Sequence, residues 1–63
     1  MILRDLTPLL YSNFEIYCNS KYYGEFDYMK NDINNGSFEC ILNLKIEEIA
    51  VEDNLIRIHV KDN

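Results

Sequence analysis

The chain contains no tryptophan, one proline, two glycines, two cysteines, one histidine and only six lysines and arginines. Each shortage excludes something. Gly24 and Gly36 stand far apart, so there is no glycine-rich loop to cradle a phosphate. Cys18, Cys40 and His59 are the whole stock of Cys and His, short of the roughly four ligands that close a zinc site. A disulfide-built secreted domain of this length carries roughly four cysteines or more, so the two thiols are expected to be reduced and the protein cytosolic. MILRDLTPLL lacks the basic and apolar regions of a signal peptide. No stretch approaches the roughly 20 apolar residues of a membrane span.

The scarcity of basic residues is set against eleven acidic ones, for a net charge of −5. Nucleic acid and anionic lipid are gripped by clustered Lys and Arg, so neither is an expected partner. An acidic surface attracts basic proteins instead, although a charge of this size also serves plain solubility. With 63 residues, the chain is expected to form a single domain spanning 1–63. A domain this small buries only about 60% of the surface that its unfolded chain exposes, so its stability margin is thin. Nearly half of the residues are apolar, enough for a folded core.

The pattern predicts α+β: a short N-terminal helix plus two β-hairpins forming a small antiparallel sheet, with a short helix or loop between the hairpins. Leu3, Leu6 and Leu10 form one apolar stripe at helical spacing. Asp5 is the expected N-cap, with Pro8 in the first turn and the helix ending near Ser12-Asn13. FEIYCN and YYGEFDY are the first strand pair. A three-residue loop, Asn19-Ser20-Lys21, sets Cys18 against Tyr22, Ile16 against Gly24 and Phe14 against Phe26. That register gathers Phe14, Ile16, Cys18, Tyr22 and Phe26 on a buried face. It leaves Glu15, Tyr17, Tyr23, Glu25 and Asp27 on the other face, with Tyr17 opposite Tyr23 and Glu15 opposite Glu25. Like charges so placed are mildly destabilising, which a binding surface explains and solvent screening also tolerates.

Asp27 is expected to cap a single helical turn reaching Ile33, with Asn34-Asn35-Gly36 as its stop. FECILNL reads equally as a short strand or a turn of helix. KIEEIAV and LIRIHVK form the last hairpin around Asp53-Asn54, residues that accept positive φ. Its register sets Val51 against Ile56 and Ile49 against Ile58 on the inner side, with Glu48 against His59 and Ala50 against Arg57 outside.

Little in this pattern supports catalysis. His59 lies on an open strand face without a nucleophile or an orienting group, and a solvated or structural role suits it better. Glu25 and Asp27 have no pocket for acid–base work. Glu47, Glu48, Glu52 and Asp53 lack the alternating spacing and the glycine of a calcium loop. No catalytic, cofactor-binding or metal-binding residue is assigned, and no cofactor is expected. Cys18 and Cys40 read as small packed hydrophobes.

LRDLTPLL, FEIYCNSKYYGEF and LNLKIEEIAVEDNLIRIHV together resemble a group of small phage and prophage proteins of low-GC Gram-positive bacteria. Their pattern is an N-terminal leucine-rich segment, a strand pair with a Tyr-x-Gly step and a closing hairpin around Asp-Asn. The resemblance spans most of the chain and is weakest over MKNDINNGSFEC. Small acidic phage proteins of this kind include anti-CRISPR proteins, which inhibit a CRISPR effector by binding it. The resemblance therefore implies a non-enzymatic inhibitor in the cytoplasm of a host bacterium. Its partner would be a basic surface, such as the nucleic-acid channel of a CRISPR effector nuclease, contacted through Glu15, Tyr17, Tyr23, Glu25 and Asp27 as a DNA mimic. The alternative is a non-catalytic structural or homodimeric module of phage origin.

Overall fold

A computed structural model describes residues 1–34 and 36–62. Helix α1 is a single turn, Leu3–Leu6, continued by a 3-10 turn over Thr7–Leu9. Five strands follow: β1 Phe14–Cys18, β2 Lys21–Asp27, β3 Asp32–Ile33, β4 Lys45–Glu52 and β5 Leu55–Lys61. A second 3-10 turn, Glu39–Ile41, lies between β3 and β4. The strands form one sheet in the order β3-β2-β1-β5-β4. All neighbours are antiparallel except β1 and β5, which run parallel.

The expected architecture is thus corrected. Both hairpins form, but they do not make a small antiparallel sheet beside a helix. They join through the parallel β1–β5 contact, in register Ile16 to Ile58 and Cys18 to Val60, and β3 adds a fifth strand, giving a mostly β, mixed sheet. The physical reason is burial. The fully covered strand residues are Phe14 and Ile16 on β1 and Ile58 and Val60 on β5, with Phe26 on β2. Setting β1 beside β5 gives both strands a neighbour on each edge, and the chain between β2 and β4 spans the sheet to allow it. Side-chain alternation is the same in parallel and antiparallel strands, so the pattern alone does not reveal the choice.

All buried strand residues point to one face. Leu3, Phe38 and Ile41 from the helical turns close over it, with Leu6, Leu10, Leu42 and Leu44 packed around them. Phe14 stacks on Phe26 at 4.8 Å between ring centroids, and Phe26 meets Phe38 at 4.6 Å. The N-terminus is tied to the start of β4 by an Ile2–Lys45 bridge and by the Ile46 N–H donating to the Met1 carbonyl at 2.9 Å.

Several local expectations shift. Ile2, not Asp5, precedes the helix; Asp5 is its third residue, and its Oδ2 accepts the Ile2 N–H at 3.3 Å. Pro8 has no N–H for the Arg4 carbonyl, so the α-turn gives way to the 3-10 turn and the chain is extended by Leu10, before Ser12. Asp27 does cap one turn, its Oδ1 accepting the N–H groups of Met29 and Lys30. That turn ends at Asn31, which has φ 57°, and β3 follows instead of more helix. The expected stop at 34–36 includes Asn35, which lies outside the described residues. FECILNL contains the second 3-10 turn, and Cys40 on it is exposed while Cys18 packs against the core.

The first hairpin turns on two residues, not three. Asn19 and Ser20 both have positive φ, 53° and 69°, and Cys18 pairs with Lys21. The pairs Phe14–Phe26, Glu15–Glu25 and Ile16–Gly24 stand as expected. A β-bulge between these two registers absorbs Tyr23 as the extra residue, so Tyr17 faces Tyr22. The bulge reconciles a tight positive-φ turn with an inward Phe26. The second hairpin has the expected register around Asp53-Asn54, φ 51° and 66°, with its own bulge at Glu47.

Candidate interaction surface

The face of the sheet opposite the core has no described element over it. Strand alternation puts Glu15, Tyr17, Tyr22, Glu25, Asp27, Arg57, His59, Glu48 and Glu52 there, and none of them is fully buried. Two rows cross the strands. The first is aromatic: Tyr22 meets Tyr17 edge-on at 5.5 Å, and Tyr17 stacks on His59 at 4.8 Å with 12° between the planes. Glu48 continues that row on β4, opposite His59.

The second row is charged. Glu25 lies opposite Glu15, and Glu15 is beside Arg57 in the parallel register. Arg57 Nε donates to Glu15 Oε1 at 3.2 Å, and its terminal N–H group donates to Glu52 Oε2 at 3.2 Å. The hydrogen bond that it donates to Glu15 raises the Arg57 guanidinium pKa above its ordinary value, against a lowering by desolvation, with Tyr17 and Glu52 adding to the rise. One cation thus serves two carboxylates. Glu25 and Glu48 have no ion-pair partner among the described residues.

Of the five residues expected to share this surface, Glu15, Tyr17 and Glu25 lie together on it. Asp27 is at its margin, and its carboxylate is occupied in holding the 28–31 turn. Tyr23 is not on the surface. The bulge turns it toward the core, where its hydroxyl donates to the Ser37 carbonyl at 2.9 Å, while Tyr22, expected inside, stands outside and 57% exposed. Burial raises the phenol pKa of Tyr23, with the Cys40 and Cys18 thiols adding to it. Partial burial raises that of Tyr22, with the Glu15 and Glu25 carboxylates as the next causes. Arg57 and His59 were missed as members of the surface because both reach it through the β1–β5 contact. No local feature of the sequence announces that contact.

A concave feature elsewhere is an open groove of about 530 Å³ whose lining includes Arg4, Thr7, Asp32, Phe38 and Leu42. Three of its polar side chains, Arg4, Thr7 and Asp32, are engaged with their own chain. Asp32 Oδ1 accepts the N–H groups of Ile33 and Phe38, and Arg4 Nε donates to Asn43 Oδ1. Among the described residues, no three His, Cys, Asp or Glu side chains converge in a metal-binding arrangement. Among the described residues, no helix is long and apolar enough to cross a membrane. No known family model, curated protein or solved structure matches the chain.

Proposed function

We propose that the protein is a non-catalytic binding module whose uncovered sheet face docks on a basic protein surface. The observation that carries this reading is the Tyr22–Tyr17–His59 row lying beside Glu25, a carboxylate with no cation among the described residues, on a face that no described element covers. Tyrosines bury much area with few rotors, which suits an interface core. Carboxylates on a rigid sheet stand where a basic groove otherwise holds phosphates. The resemblance to small phage proteins points to a host defence nucleoprotein as that partner, with a CRISPR effector nuclease foremost, in the cytoplasm of the infected bacterium. Binding there competes with nucleic acid.

The test is affinity for a purified CRISPR effector at low and moderate salt, with melting curves alongside. Tyr22 is exposed and Glu25 half-buried at the surface, so Tyr22→Ser and Glu25→Lys should each alter stability by less than about 1 kcal/mol. Each should weaken binding by about tenfold or more, and the wild-type complex should loosen with salt. Unchanged affinity in both variants sinks this face as the interface. A salt-insensitive dimer by sizing, with no effector binding, would establish the homodimeric module instead.

A further inference from the structure

The edge of the sheet at β4 carries a second, separate opportunity. The Val60 carbonyl accepts the Asn19 N–H at 3.0 Å, so the backbone groups of Val60 face β1. Backbone direction alternates along a strand, so those of Ile58 and Ile56 face β1 as well. Their partners on β4, Ile49 and Val51, must then turn their own N–H and C=O groups away from β5. The amide of Ile46 shows the same outward direction, since it donates to Met1. The N-terminal residues cover the edge only at Lys45 and Ile46. Beyond them, no described residue pairs with the outward groups of Ile49 and Val51.

The side chains at this edge match the open backbone. Ile49 and Val51 point to the core side of the sheet yet remain 48% and 66% exposed. On the other side of the same strand lie Glu48 and Glu52, and Glu48 has no cation among the described residues. A second copy of the chain is a poor occupant. Antiparallel self-pairing about Ala50 sets Glu48 against Glu52 of the copy, and each chain carries a net charge of −5. An extended segment with apolar residues opposite Ile49 and Val51, and basic residues opposite Glu48 and Glu52, satisfies backbone, apolar and charged groups at once.

We propose that the Glu48–Glu52 edge of β4 binds a partner protein by strand addition, accepting an extended segment in which basic and apolar residues alternate. This edge borders the aromatic face and shares Glu48 and Glu52 with it, but it needs no contribution from Tyr22 or Glu25.

A synthetic peptide of alternating lysine and valine is the probe, with an alternating glutamate and valine peptide as its counterpart. The lysine peptide should shift the amide resonances of Ile49 and Val51 most strongly, and the glutamate peptide should bind at least tenfold more weakly. Val51→Pro removes an outward N–H that β5 does not use, so the hairpin should persist while peptide affinity falls at least tenfold. Glu48→Lys, which leaves the ladder intact, should narrow the preference for the lysine peptide. Glu25→Lys should leave peptide binding unchanged. Equal affinity in wild type, Val51→Pro and Glu48→Lys overturns the proposal, as does no binding of the lysine peptide, or concentration-dependent self-association through β4.

Discussion

Gly24 shows how tightly one position is held. A Cβ there would meet Ile33 Cγ2 at 2.6 Å, on a β-branched side chain that is itself buried. Gly24→Ala should therefore cost about 1–3 kcal/mol, as overpacking does. The same change in an Ile33→Ala background should cost much less, because the opposing methyl is gone. Denaturant curves for the two singles and the double mutant measure that coupling, and additive losses would show that Ile33 is not the obstacle. The tyrosines give a pH signature. Tyr22 and Tyr23 both have phenol pKa values raised above the ordinary 10.0, chiefly by burial, so the folded chain holds these protons more firmly than the unfolded one. Their contribution is complete below pH 10.0 and is lost as pH rises through the folded values. Melting temperature should thus fall on the alkaline side, and a Tyr22→Phe, Tyr23→Phe double variant should fall less steeply. Parallel alkaline limbs in the two proteins would refute this origin.

The hairpins depend on two-residue turns whose residues all have positive φ, without a glycine among them. Such turns match the strand twist, and Asn and Asp tolerate the left-handed region at modest cost. Asn54→Gly should stabilise the second hairpin by about 0.5 kcal/mol, while Asn54→Val should destabilise it by about 1–2 kcal/mol. Chemical denaturation of both variants gives the order, and a Val variant as stable as wild type would mean that the turn does not hold this conformation. The bulge at Tyr23 is the counterpart of the first turn. A strand begun by a two-residue turn would carry Glu25 inward without it. One inserted residue restores Phe26 to the core and exchanges the places of Tyr22 and Tyr23.

Across the whole molecule, the β1–β5 contact joins the two hairpins into one core. Ile58 lies at this junction, opposite Ile16, and both are fully covered. Burying an ionised carboxylate there without a partner costs more than a domain of this length has to spare, since stabilities run at about 0.05–0.15 kcal/mol per residue. Ile58→Asp should abolish the cooperative melting transition by circular dichroism, and a native melt would show that the residue is not central. The same contact assembles the outer surface. It brings Arg57 to Glu15 and His59 to Tyr17, so the composite face exists only when both hairpins are docked.

Much of this was open to reading from the residues alone. The alternation of Phe14, Ile16 and Phe26 and of Ile56, Ile58 and Val60 specified two strand pairs, their inner faces and the register of the second turn, because a one-residue slip would bury Glu and Arg. The Glu15–Glu25 juxtaposition and the place of Tyr17 followed from the same rule. Three things were settled by tertiary packing. Strand direction between the hairpins was one, since alternation carries no sign of parallel or antiparallel pairing. The outward place of Tyr22 was another, because either neighbouring aromatic can fill the inner position until the turn selects the bulge. The third was the charge balance of the surface: Glu15 is paired with Arg57 from a strand distant in sequence, and Glu25 has no ion-pair partner among the described residues, because the field at a site is set by which groups converge in space.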